Sequence, residues 1–187
     1  METFTPFNLV FFSAATAVLL YVSRASLQKL GSHGFYRFFA WEAILILTLL
    51  NLDHWFDEPF SLRQVISWVC LVLSLFLAIH GFRLLSIIGK SDGRREDTSL
   101  LGLEKTTTLI TVGAYKYIRH PLYSSLLFLA WGVFFKSPSW IGGGLAVVAT
   151  AFLTAMAIVE EAENIRYFGP SYREYMKQTK RFIPFVF

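Results

Sequence analysis

Long apolar runs alternate with polar connectors along most of the chain. The runs occupy residues 4–22, 35–52, 65–85, 121–135 and 140–159. A helix needs about 20 apolar residues to cross the ~30 Å hydrocarbon core of a bilayer. The pattern predicts an all-α fold, an integral membrane helical bundle with about five transmembrane helices. After the fifth run the helix should leave the membrane and continue as an amphipathic C-terminal helix.

The fourth run is the shortest, and its 15 residues (121–135) rise only about 22 Å as a helix. The polar stretch before it should therefore begin within the depth of the membrane. Irregular backbone is tolerated there only against protein or a water-filled cavity. The run thus predicts a protein-lined or wet pocket at its start.

One membrane domain is expected over residues 1–187, because the chain is short and no linker divides it. Residues 1–88 supply three helices. Residues 89–187 supply a polar loop, a helical hairpin and the tail. The loop, 89–112, is long for a connector, and such loops often act as lids over a site.

Hydrophobic residues make up 55% of the chain, and the net charge is +4. Fifteen of the 17 Lys and Arg residues fall on one side of a five-helix topology, leaving only Arg63 and Lys136 on the other. The positive-inside rule then places the N-terminus outside and the C-terminus in the cytoplasm. The positive charge is accounted for by this topology, so the expected partner is the lipid bilayer and not nucleic acid.

The sequence offers little for disulfide or metal chemistry. Cys70 is the single cysteine and lies within an apolar run. His54 has acidic neighbours in its connector, but their spacing fits no particular metal site, so a solvated loop is expected.

The polar stretch before the fourth run reads Gly113-Ala-Tyr-Lys-Tyr-Ile-Arg-His-Pro-Leu-Tyr123. Pro121 favours extended backbone at His120 and is tolerated in the first turn of a helix, so His120 should lie at a helix N-terminus. Free backbone N–H groups and the helix dipole, with Arg119 alongside, could bind an anion such as a carboxylate. Equally, Arg119 and His120 could simply mark the boundary between water and lipid.

Carboxylates follow the end of the fifth run. Since runs four and five should form a hairpin, the residues before Pro121 and after Val159 are expected to meet. The residues concerned are Tyr117, Arg119, His120 and Tyr123 on one side, and Glu160, Glu161 and Asn164 on the other. On a helix Glu161 and Asn164 share a face, whereas Glu160 points about 100° away. A plain salt bridge of Arg119 with Glu160 or Glu161 would explain one pair but not the whole set.

Glu42, His80 and Arg83 are further candidates inside or at the ends of the other runs. Glu42 is the lone acid within the second run, and an acid at that depth is either functional or paired with a basic group such as Arg37. His80 and Arg83 share one helical face at the end of the third run. They either line the mouth of a site or anchor the helix end.

The two polar stretches together resemble the isoprenylcysteine carboxyl methyltransferase family and its phospholipid and thiol methyltransferase relatives. The matching motifs are Arg119-His-Pro-Leu-Tyr123, Glu160-Glu161, Phe168-Gly-Pro-Ser-Tyr172-Arg-Glu-Tyr175 and Lys180-Arg-Phe-Ile-Pro184. The resemblance covers roughly residues 109–187. The chain departs from the family pattern at Thr106-Thr-Thr108, where a histidine is frequent, and at Ser124, where a glycine is frequent.

The resemblance implies S-adenosylmethionine as methyl donor and S-adenosylhomocysteine as product. It assigns His120, Tyr123, Glu161 and Asn164 to the cofactor, with Tyr117 as a further candidate. In the catalytic step, Arg119 or Arg83 would steer an anionic acceptor. Glu160 or Glu42 would serve as base for an acceptor that must lose a proton.

The function expected from this resemblance is methyl transfer to a lipophilic acceptor at the cytoplasmic membrane face. The first expectation is carboxyl O-methylation of an isoprenylcysteine-like substrate. The alternatives are N-methylation of a phospholipid, S-methylation of a thiol, or a non-catalytic scaffold or transport protein that keeps the fold. The oligomeric state does not follow from the sequence.

Overall fold

The computed structural model describes residues 6–89 and 106–187. Its helices are α1 (Pro6–Leu27), α2 (His33–Leu50), α3 (Leu62–Ile88), α4 (Pro121–Phe134), α5 (Trp140–Phe168) and α6 (Pro170–Gln178). Two short 3₁₀ turns, Leu52–His54 and Gly113–Lys116, join them. Within the described residues the chain forms no strand, so the all-α prediction is confirmed. Residues 90–105, which carry most of the predicted lid, lie outside the described part of the chain.

Four of the described helices, α1, α2, α3 and α5, are long and apolar enough to cross a membrane. Helix α4, at 14 residues, is shorter. Side chains such as Val69, Val72 and Phe76 on the outer face of α3 are exposed, as expected where the surrounding solvent is hydrocarbon. The predicted multi-pass membrane bundle of about five helices is confirmed, with four helices long enough to span and α4 as the shorter fifth.

Helix α4 is enclosed by protein, because α2, α3 and α5 all pack against it. The backbones of α3 and α4 approach closely at Gly132, where a Cβ atom would lie 3.0 Å from the side chain of Leu71. The Ser67 hydroxyl donates to the Gly132 carbonyl at 2.7 Å and fixes this crossing. A helix surrounded in this way does not need to match the bilayer thickness, which explains how so short an apolar run is accommodated.

Helix α5 continues without a break past residue 159, where the apolar run ends, to Phe168. Gly169 then adopts a positive φ of 61°, and Pro170 opens α6. The nine residues of α6 bury Tyr172 and Tyr175. The amphipathic C-terminal helix is therefore present, but a glycine turn separates it from the membrane helix, because Pro170 has no N–H with which to continue α5.

The last residues of the chain fold back onto the stretch that precedes α4. The amide of Arg119 donates to the Lys180 carbonyl at 2.8 Å, and the amide of Lys180 donates to the Tyr117 carbonyl at 3.0 Å. Phe182 is fully buried in the core formed by α2, α4 and α5. We call residues 179–187 the C-terminal strap, since they tie the end of the chain to the start of α4.

The opposite end of the bundle is closed around Lys136, a fully buried residue of the turn that joins α4 to α5. Its ammonium donates to the Trp55 carbonyl at 3.2 Å and to Gln64 Oε1 at 3.0 Å. It also lies 3.5 Å from the centre of the Trp68 ring. Burial lowers the pKa of this amine. The two oxygens and the aromatic face together stabilise a cation that would otherwise be costly to bury.

Candidate functional site

The candidate site lies at the end of the bundle where α4 begins. The N-terminus of α2, the last turns of α5 and the C-terminal strap meet there. The hairpin prediction is fulfilled in that the two polar stretches touch. Hydrogen bonds and ion pairs connect five of the predicted residues: Arg119, His120, Tyr123, Glu160 and Glu161.

His120 lies between two carboxylates. Its Nδ1 is 3.3 Å from Glu160 Oε2, and its Nε2 is 3.4 Å from Glu161 Oε1. Burial lowers the pKa of the His120 imidazole, but the two carboxylates raise it by more, so the net shift is upward. Both contacts are hydrogen bonds at once only when both ring nitrogens carry protons. The geometry therefore favours the imidazolium form.

The carboxylate of Glu161 is surrounded by cations. Arg119 Nε donates to Oε1 at 2.8 Å, while Arg181 donates from Nε to Oε1 at 3.1 Å and from Nη2 to Oε2 at 2.8 Å. The bond to Glu161 raises the pKa of Arg181. Arg119 Nη1 also donates to the carbonyl oxygen of Thr179. Glu161 and Arg119 thus join α5 to the C-terminal strap, and the simple Arg119–Glu161 pair is one part of this network.

Glu160 makes a different set of contacts. The hydroxyl of Tyr123 donates to Glu160 Oε2, and the same hydroxyl is hydrogen-bonded to Nε2 of His33. His33 Nε2 also lies 3.7 Å from Glu160 Oε2, and the His33 side chain is fully buried. A line of polar groups therefore runs from α5 through α4 to the first residue of α2.

A cavity of about 590 Å³, including its open mouth, adjoins these residues. Glu160 and Asn164 provide polar walls. The aromatic walls are Tyr115, Phe168, Tyr172 and Tyr175, with His120 and Tyr123 at the start of α4.

Hydrogen bonds fix the position of the aromatic walls. Tyr175 donates to the Tyr115 carbonyl at 2.6 Å, and Tyr172 is hydrogen-bonded to Asn164. Burial raises the pKa of both Tyr172 and Tyr175, so both phenols are neutral donors at physiological pH. The glycine turn at Gly169 is what brings α6 back over the cavity.

Of the two adjacent acids, Glu160 lines the cavity with Asn164, and Glu161 does not. Residues four apart on a helix differ by only about 40° in direction, whereas residues three apart differ by about 60° on the other side. Glu160 is therefore the carboxylate that a ligand in the cavity would meet, with Glu161 turned toward Arg119 and Arg181. The assignment of Glu161 to the cofactor stays a prediction.

Tyr117 and His80 lie outside this cavity. Tyr117 is half-exposed and, with His80 and Pro184, lines a separate apolar groove. Nε2 of His80 accepts from the Ala114 amide at 3.3 Å, so His80 anchors the 3₁₀ turn to α3. The role of Tyr117 at the cofactor remains a prediction, and the structure places its ring away from the described cavity.

Arg83 and Glu42 are also separated from the site. Arg83 is exposed on the surface of α3. Glu42 lies nine residues along α2 from His33, about 13 Å deeper by helical rise. Its Oε2 accepts from the Thr16 hydroxyl at 3.0 Å, a contact between α1 and α2. Of the four residues predicted for the catalytic step, Arg119 and Glu160 therefore lie at the cavity, and Arg83 and Glu42 do not.

The backbone at the start of α4 differs from the expectation of free N–H groups. The amide of His120 donates to the Arg181 carbonyl at 3.2 Å, and that of Arg119 is taken by Lys180. The strap pairs with this stretch in parallel, at a bridge between Ile118 and Lys180. The prediction that these two amides are free to bind an anion is therefore wrong.

Sequence reasoning missed His33 and Arg181 as members of the cluster. His33 begins the second apolar run, and the predicted topology already puts that end of α2 on the same side as the polar stretches. Arg181 belongs to the basic motif near the C-terminus, but nothing in the sequence shows that this motif returns to Glu161.

The cavity wall carries the residue types that S-adenosylmethionine, the donor implied by the resemblance, would need. Its ammonium group would suit the Glu160 carboxylate, ribose hydroxyls would suit Asn164, and a sulfonium would suit aromatic faces such as Tyr172. Thr106 and Thr108 add hydroxyl groups at the wall nearest the polar loop.

Comparison with known proteins identifies the family of the chain. The family model for phospholipid methyltransferases matches residues 62–171. Methanethiol S-methyltransferase of Pseudomonas deceptionensis is 27% identical over 121 residues, covering 64% of this chain and 42% of the relative. The methanethiol S-methyltransferase of Crocosphaera subtropica is 28% identical over 155 residues, covering 80% of this chain and 55% of the relative.

A third relative, protein-S-isoprenylcysteine O-methyltransferase of Schizosaccharomyces pombe, is 31% identical over 83 residues, covering 44% of this chain and 35% of the relative. The chain thus spans about half or less of the length of these curated relatives. No solved structure matches it significantly. The family match includes α3, α4, α5 and the polar stretches between them, and it covers more than half of the chain. The predicted resemblance to the isoprenylcysteine and phospholipid methyltransferases is thus confirmed. The chain belongs to the phospholipid methyltransferase family.

Proposed function

We propose that the protein is a methyltransferase that uses S-adenosylmethionine to methylate a lipophilic acceptor at the cytoplasmic face of a membrane. The observation that carries the proposal is the cavity at the start of α4, where Glu160, Asn164 and an aromatic wall meet at one end of a membrane bundle. A scaffold has little use for buried charges at such a place. Family membership supports the same conclusion.

The donor would supply an electrophilic methyl group on a sulfonium. The chain's residues would position it and exclude water, since an in-line displacement depends mainly on orientation and desolvation. Tyr172 of α6 and Asn164 of α5, which are hydrogen-bonded to each other, would fix the donor. His120, held by two carboxylates, would keep Glu160 oriented toward the cavity.

The acceptor we favour is a thiol on a small or lipophilic molecule. The two relatives named as methanethiol S-methyltransferases align over more of this chain than the isoprenylcysteine enzyme does. At the described site, both guanidinium groups, Arg119 and Arg181, bind Glu161. The carboxylate at the cavity wall, Glu160, would repel an anionic acceptor and therefore suits an uncharged one.

An isoprenylcysteine-like carboxylate is the second candidate, favoured by the Arg119-His-Pro-Leu-Tyr123 motif and by the Schizosaccharomyces pombe relative. It would need a cation at the cavity wall, where His120 and Arg119 both lie in contact with carboxylates. Arg119 forms part of the cavity wall and would have to exchange a contact with Glu161 for the acceptor.

A methyl-transfer assay with isotopically labelled donor tests the proposal. Purified protein in detergent is offered a long-chain alkyl thiol and, separately, an S-prenylated N-acetylcysteine. Labelled thioether is the expected main product. Labelled ester alone would move the assignment to the carboxylate. Transfer to neither, in folded protein that also fails to bind S-adenosylhomocysteine, would contradict the proposed function.

A further inference from the structure

Helix α2 reaches the candidate site through its first residue, His33. The imidazole is fully buried, and its Nε2 is hydrogen-bonded to the Tyr123 hydroxyl. The cap of α2 fixes this end of the helix, because the Ser32 hydroxyl accepts from the Phe35 amide at 3.2 Å and donates to the Ser26 carbonyl at 3.0 Å. His33 therefore offers a rigidly held hydrogen bond to the start of α4.

The direction of the hydrogen bonds follows from the single hydrogen of the Tyr123 hydroxyl. That hydrogen is donated to Glu160 Oε2, so the hydroxyl oxygen is the acceptor toward His33, whose Nε2 carries the hydrogen of the second bond. Glu160 Oε2 also lies 3.3 Å from Nδ1 of His120, which is a donor in the imidazolium form. Glu160 thus accepts at this oxygen, as an ionised carboxylate does.

These contacts converge on one oxygen of Glu160. Tyr123 and His120 contact Oε2, and Nε2 of His33 lies 3.7 Å from the same atom. Since Glu160 lines the cavity, its other oxygen, Oε1, is the one that can meet a cation of a ligand. The Tyr123 ring also stacks on that of His120, with centroids 5.0 Å apart and planes inclined by 7°. A hydrogen bond that fixes Tyr123 therefore supports both groups that hold Glu160.

We propose that His33 is a positioning residue for the methyl donor. Through Tyr123 it holds the Glu160 carboxylate ionised and oriented, so that Oε1 binds the ammonium group of the donor. His33 itself lies behind Tyr123, since Tyr123 and Glu160 line the cavity and His33 does not. The inference rests on the proposed function and adds a residue that lies outside residues 62–171, the part that matches the family model. The N-terminal helices then contribute to donor binding as well as to membrane insertion.

Calorimetric titration with two ligands tests this role. One is S-adenosylhomocysteine, and the other is the same molecule with hydrogen in place of the amino group, 5′-S-(3-carboxypropyl)-5′-thioadenosine. Wild-type protein should bind the second ligand about tenfold more weakly or worse, because it offers no ammonium to Glu160. His33→Leu should weaken S-adenosylhomocysteine binding by about three- to tenfold, the size expected for one hydrogen bond, and leave binding of the second ligand unchanged.

Two amide variants separate the hydrogen bond from the bulk of the ring. His33→Gln keeps a side-chain N–H near the position of Nε2 and should bind both ligands as the wild type does. His33→Asn carries the same amide on a side chain one methylene shorter, which falls short of the Tyr123 hydroxyl. It should therefore match His33→Leu, and it gives the same comparison if His33→Leu does not fold.

Tyr123→Phe tests whether His33 acts through Tyr123. Loss of the hydroxyl should weaken S-adenosylhomocysteine binding selectively. The double variant with His33→Leu should bind no more weakly than Tyr123→Phe alone, because residues in one hydrogen-bonded chain are not additive. His54→Leu, at the opposite end of the bundle where His54 pairs with Asp57 at 2.7 Å, is the control and should bind both ligands as the wild type does.

Three results would overturn the role of His33 and leave the proposed function standing. The first is wild-type affinity for S-adenosylhomocysteine in folded His33→Leu or His33→Asn. The second is an equal loss of affinity for both ligands in these variants, which would show a purely structural role. The third is equal affinity of the wild type for the two ligands, which would show that Glu160 does not hold the ammonium. Folded wild-type protein that binds neither ligand contradicts the proposed function itself, and the inference falls with it.

Discussion

Arg181 of the C-terminal strap donates two hydrogen bonds to the Glu161 carboxylate, one from Nε at 3.1 Å and one from Nη2 at 2.8 Å. The two residues are 20 positions apart, and α6 lies between them in the chain. A bidentate guanidinium–carboxylate pair fixes the relative orientation of the two side chains as well as their distance. It therefore holds the strap against α5 and keeps α6 over the cavity.

Arg181→Met should loosen the strap while keeping much of the apolar bulk of the side chain. Charge-assisted hydrogen bonds contribute about 1.5–3 kcal/mol each, so the loss of both bonds should speed up amide exchange in residues 179–187 by about a hundredfold or more. Hydrogen–deuterium exchange measured by mass spectrometry checks this. Arg173→Met, on the exposed side of α6, is the control. Unchanged protection in Arg181→Met would mean that backbone pairing alone holds the strap.

Substitution of Glu160 should affect ligand binding, whereas substitution of the adjacent Glu161 should affect the stability of the protein. Glu160→Gln should weaken S-adenosylhomocysteine binding by about tenfold or more, since the ligand ammonium would lose its carboxylate. Glu161→Gln should instead lower the melting temperature, because two guanidinium groups would lose a buried counter-charge, a change that typically costs about 3–5 kcal/mol. Calorimetric titration and thermal unfolding in detergent measure both effects. The reverse pattern would restore the sequence-based assignment of Glu161 to the cofactor.

Stability should depend on pH through His120. Its folded-state pKa lies above the unfolded value of about 6.5, so the folded protein holds the proton more tightly. The stabilisation is fully present below the unfolded pKa and is lost as the pH rises through the folded pKa. Between these two values the free energy of unfolding should fall by up to about 1.4 kcal/mol per pH unit.

His120→Gln should remove this part of the pH dependence. Melting temperatures of wild type and variant, recorded in detergent from mildly acidic to mildly alkaline pH, should converge as the pH rises. Curves that stay parallel would show that His120 does not gain a proton on folding.

Lys136 should be a major determinant of stability at the far end of the bundle. Lys136→Met keeps the apolar stem but leaves the Trp55 carbonyl and Gln64 Oε1 without their donor. Each buried group left unsatisfied costs about 1–3 kcal/mol, so the melting temperature should fall by several degrees. Ligand binding at the distant cavity should not change. The exposed Lys177→Met is the control, and equal melting temperatures in the two variants would contradict the role of the buried ammonium.

Much of the architecture could be predicted because the bilayer imposes it. Apolar length fixes the spanning helices, and the hairpin of α4 and α5 follows from two runs joined by a short turn. That hairpin alone puts His120 beside Glu160 and Glu161. The continuation of the helix past Val159 was predicted as well, but the turn at Gly169, which separates α6 from α5, was not.

The remaining features depend on contacts between segments far apart in sequence. His33 meets Tyr123 over a separation of 90 residues, and no local pattern encodes that contact. The C-terminal strap folds back onto Arg119 and His120, and its carbonyl groups accept hydrogen bonds from the backbone amides of these residues, which were expected to be free. The choice between Glu160 and Glu161 as the cavity-facing acid turns on a rotation of 100° about α5, which depends on how α2 and α4 pack against it.

Calorimetric titration of the detergent-solubilised protein with S-adenosylhomocysteine tests the central claim most directly. The comparison is wild type against Thr108→Trp, which should fill the cavity mouth from an exposed position without touching the Glu160 or Glu161 contacts. The account predicts saturable one-site binding in wild type and its loss in Thr108→Trp, with equal melting temperatures. Absence of binding in folded wild-type protein, or equal binding in both, would contradict the assignment of this cavity to the methyl donor.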